Sequence, residues 1–310
     1  MRLLMIFVDG LGIGRYDHAA NPCANAGLQF FNNFQDRERT EPMPFDGLAR
    51  GLDATLGLPG LPQSATGQTA LLTGVNAAQL LGRHLNGFPN GRLREVIAQH
   101  SLLKQVRERG YTAAFLNAFR PPFFDYDPFQ IIRYLSVTTV CNLYAGLPFF
   151  DLDDLRARRC VYQDFTNESL RRRGHDVPLF SPTEAGTILA RQAAQYDFCL
   201  YEYFQTDRAG HAGDLRHATA VLAALEAFLT AVLSASDLAQ STVLLTSDHG
   251  NIEDLSVKGH TRNPAMTLVW GQGKDQLGRL GSIQEVTPWV LELLDKAHTR
   301  ISLAQCTKST

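Results

Sequence analysis

The chain has 310 residues, enough for one large domain or two unequal ones at roughly 100–200 residues per domain. Apolar residues make up 45% and charged residues 19%, ample material for a packed core. A formal net charge of -2 and a pI near 6.5 argue against nucleic acid or an anionic membrane surface as a general partner.

The N-terminal MRLLMIFVDG has an Arg and a short apolar run, but Asp9 and glycines follow with no small-residue cleavage site. It reads as a buried strand over 3–8, continuous in its apolar character as a central parallel strand requires. Residues 15–60, rich in Asn, Pro and Gly, read as a long irregular connection. From Thr66 to about Leu81 the pattern is helical. A helix over 100–110 ends at Gly110, and 111–119 is strand-like. Residues 120–183 break the rhythm with PPFFDYDPF, RARRC and RRRGHD. They read as a small inserted cap between core segments 1–119 and 184–310. Helix 184–196, strand 197–204, long helix 215–235 and strands 241–247 and 265–271 follow. A last helix over 282–295 has Ser282 at its start. No stretch is expected to reach the ~20 apolar residues that span a bilayer. Strands alternating with helices predict a doubly wound, mostly parallel α/β sheet with helices on both faces. Ligands then sit at the carboxyl ends of the strands.

The five cysteines (Cys23, Cys141, Cys160, Cys199, Cys306) are odd in number and contain no CxxC pair. They support neither a disulfide framework nor a Cys zinc site, and fit a reducing cytoplasm.

Asp or His follows apolar strand runs repeatedly. IFVDG ends in Asp9, YEYFQTDRAGH supplies Asp207 and His211, LLTSDHGN supplies Asp248 and His249, and GHTRNP supplies His260. Any one of these could simply cap a helix or fill a turn. Together they converge at the strand ends of one sheet as a mixed oxygen and nitrogen set, which suits Zn²⁺ or Mn²⁺. Asp207 and His211, at i and i+4, share a face if the segment is helical. With one hydroxyl added, seven ligands suffice for two divalent ions about 3.5–4 Å apart. The stretch SATGQTALLTG (64–74) offers Ser64, Thr66 and Thr69 as hydroxyls, with no base nearby.

These blocks, from residue 4 to residue 271, resemble the alkaline phosphatase superfamily. The likeness is greatest to the branch of cofactor-independent phosphoglycerate mutase and phosphopentomutase. FVDGLGIG is similar to the first metal-binding strand end, TDRAGH to the D-x-x-x-H block, and SDHGN with GHTRNP to the D-H-G-N … H-T block. The resemblance implies one metal bound by Asp9, Asp248, His249 and the nucleophile, and another bound by Asp207, His211 and His260. The family's nucleophile stands ten residues before a glycine at a helix start. Counting back from Gly74 selects Ser64, with Thr69 the runner-up. The mutases keep a His four residues after the nucleophile, where this chain has Gln68. The large inserted domain of the phosphoglycerate mutases has no room here.

The resemblance therefore implies a two-metal phosphoryl-transfer enzyme, foremost a phosphohydrolase of small phosphate esters acting through phospho-Ser64. A phosphomutase is the alternative, and a non-catalytic metal-binding protein the competitor from another class. Arg208, Arg262 and Asn251 are the expected substrate-binding residues, with Lys258, Arg83, Arg120 and Arg133 as further cations. DGLGIG could also suggest a dinucleotide site, but it reads G-x-G-x-G and carries Asp9, which repels a pyrophosphate. The expected partner is a small phosphorylated molecule, with no nucleic acid and no membrane. The oligomeric state is left open.

Overall fold

A computed structural model describes residues 1–25 and 27–306, with side chains described as far as residue 297. The side chains of His298 and Cys306 lie outside the described residues. Among the described residues, six strands form one sheet: β1 (Arg2–Val8), β2 (Leu48–Leu52), β3 (Ala113–Phe115), β4 (Phe198–Tyr203), β5 (Ser241–Thr246) and β6 (Ala265–Gly271), in the order β2-β6-β5-β1-β4-β3. The pairs β3–β4, β4–β1 and β1–β5 are parallel, whereas β6 runs antiparallel to β5 and β2 antiparallel to β6. The expected α/β sheet with helices on both faces is present and mostly parallel.

The helices are α1 (Ser64–Thr73), α2 (Ala77–Leu81), α3 (Gly91–His100), α4 (Leu102–Glu108), α5 (Pro121–Phe124), α6 (Val137–Tyr144), α7 (Leu152–Arg156) and α8 (Glu168–Arg172). After these come α9 (Pro182–Ala193), α10 (Gln205–Ala212), α11 (Leu215–Ala235) and α12 (Val286–Cys306). The run LLMIFV is buried throughout because successive side chains enter opposite cores. Leu4, Ile6 and Val8 join the core with α9 and α11, and Leu3, Met5 and Phe7 join the core with α1, α3, α4, α6 and α12.

Four local readings change. The single helix expected over 66–81 breaks at Gly74, which takes φ 78° and closes α1 with its N–H on the Ala70 carbonyl. The connection 15–60 contains β2, held against β6 at the sheet edge. Ser282 caps through a reciprocal pair with Glu285, but it opens a short 3-10 turn ahead of α12. Helix α11 is long and apolar enough, by length and composition, to cross a membrane, contrary to the expectation that no stretch would be. Its Leu222, Leu225, Phe228, Leu229 and Val232 are buried, and it packs along α9.

Residues 120–183 run past the β3 edge and feed both cores. Val137, Val140 and Cys141 of α6 enter the α1 side. Leu152, Leu155, Phe165 and Leu170 enter the α11 side.

Candidate metal centre

Three adjacent strands, β5, β1 and β4, end at the same edge of the sheet, and their following loops carry the charged residues. Asp9 follows β1 directly, and its N–H donates to the Tyr203 carbonyl (2.9 Å) at the end of β4. One residue after β4, α10 begins and presents Asp207 and His211 a helical turn apart. After β5 come Ser247, Asp248 and His249. The Ser247 hydroxyl accepts from Leu11 N–H (2.9 Å) and donates to the His249 carbonyl (2.9 Å), locking the β1 and β5 loops together. An antiparallel bridge between Gly250 and Thr261 folds the next loop back and brings in His260.

Two clusters result. Asp9, Asp248 and His249 are buried, and each offers a ligand atom within 4.8 Å of the others. The same limit holds for Asp207, His211 and His260. His249 Nε2 lies 3.2 Å from Asp9 Oδ1 and 3.5 Å from Asp248 Oδ2. His211 Nε2 and His260 Nε2 each lie 3.4 Å from an Asp207 oxygen. The rings of His249 and His260 stack at 3.8 Å, so the clusters adjoin. Ser64, the first residue of α1, places Oγ 3.1 Å from His249 Nε2.

The donor chemistry fits divalent cations. Asp9 Oδ1 and Asp248 Oδ2 are buried without a hydrogen-bond partner, a costly state for ionised oxygens unless a cation completes it. Burial, then the Asp9 charge, pushes the Asp248 carboxyl well above the usual carboxylate range. Burial opposes a charge on His249, but Asp248 and Asp9 outweigh it and push the imidazole up to about 10. Burial also opposes the charge on Asp207, yet His260 and its other neighbours lower that carboxyl to about 2. Two carboxylates thus share the first cluster with one imidazole.

A second layer aims these groups. Gln68 Nε2 donates to Asp9 Oδ2 (3.1 Å), and His260 Nδ1 meets the Pro62 carbonyl (2.8 Å), which turns Nε2 toward Asp207. Asn251 is buried and donates to Asp207 Oδ1 (2.7 Å). Glu253 is also buried. It accepts from Gly12 N–H (2.8 Å), Asn251 N–H (2.8 Å), the Thr261 hydroxyl (2.6 Å) and Asn263 Nδ2 (3.0 Å). A Cβ at Gly12 would lie 2.5 Å from Glu253 Oε1, and one at Gly250 would lie 2.2 Å away. The glycines of DGLGIG and DHGN therefore admit this carboxylate, which removes the reason for a dinucleotide reading.

Sequence reasoning missed Glu253, although the carboxylate pair Glu253–Asp254 just after DHGN was its visible sign. It also missed Glu202 on β4, whose buried carboxylate accepts from the Thr138 hydroxyl (2.7 Å). Of the cations considered, Arg262 is exposed and donates to the Gly60 carbonyl (2.9 Å). Arg208 is exposed and lines a flank cavity with Ala212, the face of α10 adjoining that of Asp207 and His211. Thr69 is buried, and its hydroxyl donates to the Ala65 carbonyl (2.6 Å).

The sequence model of the Metalloenzyme superfamily matches residues 181–297, which hold Asp207, His211, Asp248, His249 and His260. The resemblance to the alkaline phosphatase superfamily, on its phosphomutase side, holds. A 2,3-bisphosphoglycerate-independent phosphoglycerate mutase of Desulforudis audaxviator is 32% identical over 124 residues, 38% of this chain and 24% of that protein. The chain thus matches about a quarter of that relative's length. Among solved structures, a cold-active alkaline phosphatase of Shewanella sp. superposes with TM-score 0.55 at 12% identity, covering 95% of this chain and 100% of that one. The phosphoglycerate mutase of Leishmania mexicana superposes with TM-score 0.53 at 14% identity, covering 94% and 95%. Both share the fold of this chain, and the superfamily match covers all the candidate ligands except Asp9 and Ser64.

Proposed function

We propose that the protein is a two-metal phosphoryl-transfer enzyme, a phosphohydrolase of small phosphate esters working through phospho-Ser64. The observation that carries this reading is Ser64 Oγ at the head of α1, 3.1 Å from His249 Nε2 and beside two clusters of carboxylate and imidazole donors. Asp9, Asp248, His249 and Ser64 would hold one divalent ion, Mn²⁺ or Zn²⁺, and Asp207, His211 and His260 the other. Such ions, when bound, favour the ionised hydroxyl and offset charge on the phosphoryl oxygens.

The chain's own residues do the rest. Ser64 Oγ attacks phosphorus and forms a new O–P bond as the ester O–P bond breaks. The departing alkoxide takes a proton from water. The N-terminal end of α1 favours the anionic phosphoryl group on Ser64. Water then cleaves phospho-Ser64, releasing phosphate and restoring the hydroxyl. His211 is exposed where the deeper ligands are buried, so it sits at the open side where the ester enters. Arg262, two residues after His260, is the expected cation for the phosphoryl oxygens. Asn251 acts by holding Asp207. The four cysteines among the described residues are buried free thiols, which supports a reducing, cytoplasmic setting.

A phosphomutase is the second reading, favoured by the mutase that matches this chain. It differs only in the acceptor of the phosphoryl group. The test is a panel of sugar phosphates, phosphoglycerates and phosphodiesters with Mn²⁺ or Zn²⁺, read for free phosphate and isomerised product. Acid-quenched protein should carry one phosphoryl group, lost in Ser64→Ala and kept in Thr69→Val. No turnover of any ester with either metal overturns the proposal, and isomer without free phosphate transfers it to the mutase.

A further inference from the structure

A cavity of about 770 Å³ opens on the flank of the molecule, between α8, α10 and α11. Its rim carries Arg172 and Arg173 at the end of α8, Arg208 of α10 and His217 in the first turn of α11. All four are exposed, and among the described residues the three arginines have no ion pair or side-chain hydrogen bond. Two carboxylates also line the cavity. Asp164 is occupied, accepting the N–H groups of Asn167 (2.9 Å) and Ser169 (2.9 Å). Glu168 is exposed in the first turn of α8.

The inner wall is apolar. Phe165 stacks on Tyr203 (5.0 Å between ring centres), and Ala220, Val221 and Ala224 of α11 continue the surface. Unpaired guanidinium groups around an apolar floor select a ligand with both characters, because each arginine offers a planar fork to an oxyanion. The volume lies within the usual range of small-molecule sites, about 300–1,000 Å³. The cavity is not the metal centre. On α10, Asp207 and His211 share the face toward the ligand clusters, while Arg208 and Ala212, one residue on, turn by about 100° toward the cavity.

We propose that this flank cavity is a second binding site, for a small organic anion with an apolar body and a phosphate, sulfate or carboxylate group. Arg172, Arg173 and Arg208 hold the anionic group, and Ala220, Val221 and Ala224 of α11 cover the apolar body. Neither element needs a metal.

The test is calorimetric titration of the full chain, with and without EDTA, using phenylphosphonate, benzenesulfonate and benzoate as separate probes and inorganic phosphate as the body-free control. At least one aromatic anion should bind at one site whose affinity EDTA leaves unchanged. Losing the charged hydrogen bonds in Arg172→Ala/Arg173→Ala should weaken that binding by about tenfold or more. Ala220→Phe, an exposed position, fills the apolar part and should weaken the aromatic probes similarly, with unchanged thermal unfolding showing that the fold is kept. No EDTA-resistant binding, binding indifferent to both variants, or inorganic phosphate binding as tightly as the aromatic anions overturns the proposal. None of these readouts depends on turnover, so failure here is separable from failure of the phosphoryl-transfer reading.

Discussion

Gln68 Nε2 donates a hydrogen bond to Asp9 Oδ2 at 3.1 Å, joining the second turn of α1 to the residue that follows β1. The position where the mutases keep a His is thus spent on orienting a candidate ligand. Gln68→Ala should weaken metal binding at the Asp9 cluster by roughly 10–100-fold, as loss of outer partners does. Metal titration followed by calorimetry checks this. Unchanged affinity would show that Asp9 is held without Gln68.

Asp248 and Asp9 crowd two carboxylates into one buried place. Because the Asp248 carboxyl titrates well above its ordinary range, its contribution to stability is complete below the ordinary carboxylate value and declines as pH rises. In EDTA at neutral pH, Asp248→Asn should therefore be more stable than the parent, with the gain vanishing near pH 4. With metal the order reverses. The parent should gain roughly 3 kcal/mol at a metal concentration 100 times Kd, and the variant little. Thermal melts with and without EDTA measure both. A parent whose melting point ignores EDTA would contradict the metal-centre reading.

Glu253 accepts four hydrogen bonds from two loops, and Gly12 makes room for it. Gly12→Ala should cost roughly 1–3 kcal/mol by overpacking. Denaturant unfolding tests this, and a change below a few tenths of a kcal/mol would mean that the loop yields freely.

Burial raises the Glu202 carboxyl to about 7, only partly opposed by the Thr138 hydroxyl, with the Asp9 charge adding to the rise. Its folded value exceeds its unfolded one. The stability it contributes is therefore complete below about 4.5 and lost as pH rises through about 7. Relative to Glu202→Gln, the metal-free parent should lose roughly 3 kcal/mol between pH 4 and pH 8. Parallel stability–pH curves for the two proteins would contradict this.

Much was legible along the chain because it is encoded locally. The apolar run of β1, the i, i+4 placement of Asp207 and His211, and the glycines at strand ends declare themselves within a few residues. The two clusters assemble residues from 9 to 260, yet their motifs were readable because each follows its own strand end. What motifs could not decide was direction and occupation. Whether Thr69 or Ser64 faces the clusters depends on the register of α1 against β1 and β5. There Thr69 turns inward to the Ala65 carbonyl, and Ser64 stands beside His249.

The sequence by itself determined the alternation of strands and helices and the placement of carboxylates and imidazoles at strand ends. Only the tertiary structure decided that β2 and β6 run antiparallel, that α11 is a core helix, that Gln68 and Asn251 serve Asp9 and Asp207, and that Arg208 turns to a flank cavity. The physical reason is range. Periodicity and turn chemistry act over a few residues, whereas a hydrogen bond between residues 59 positions apart, or the crowding of Glu253 against Gly12, exists only once the sheet brings distant loops to one edge.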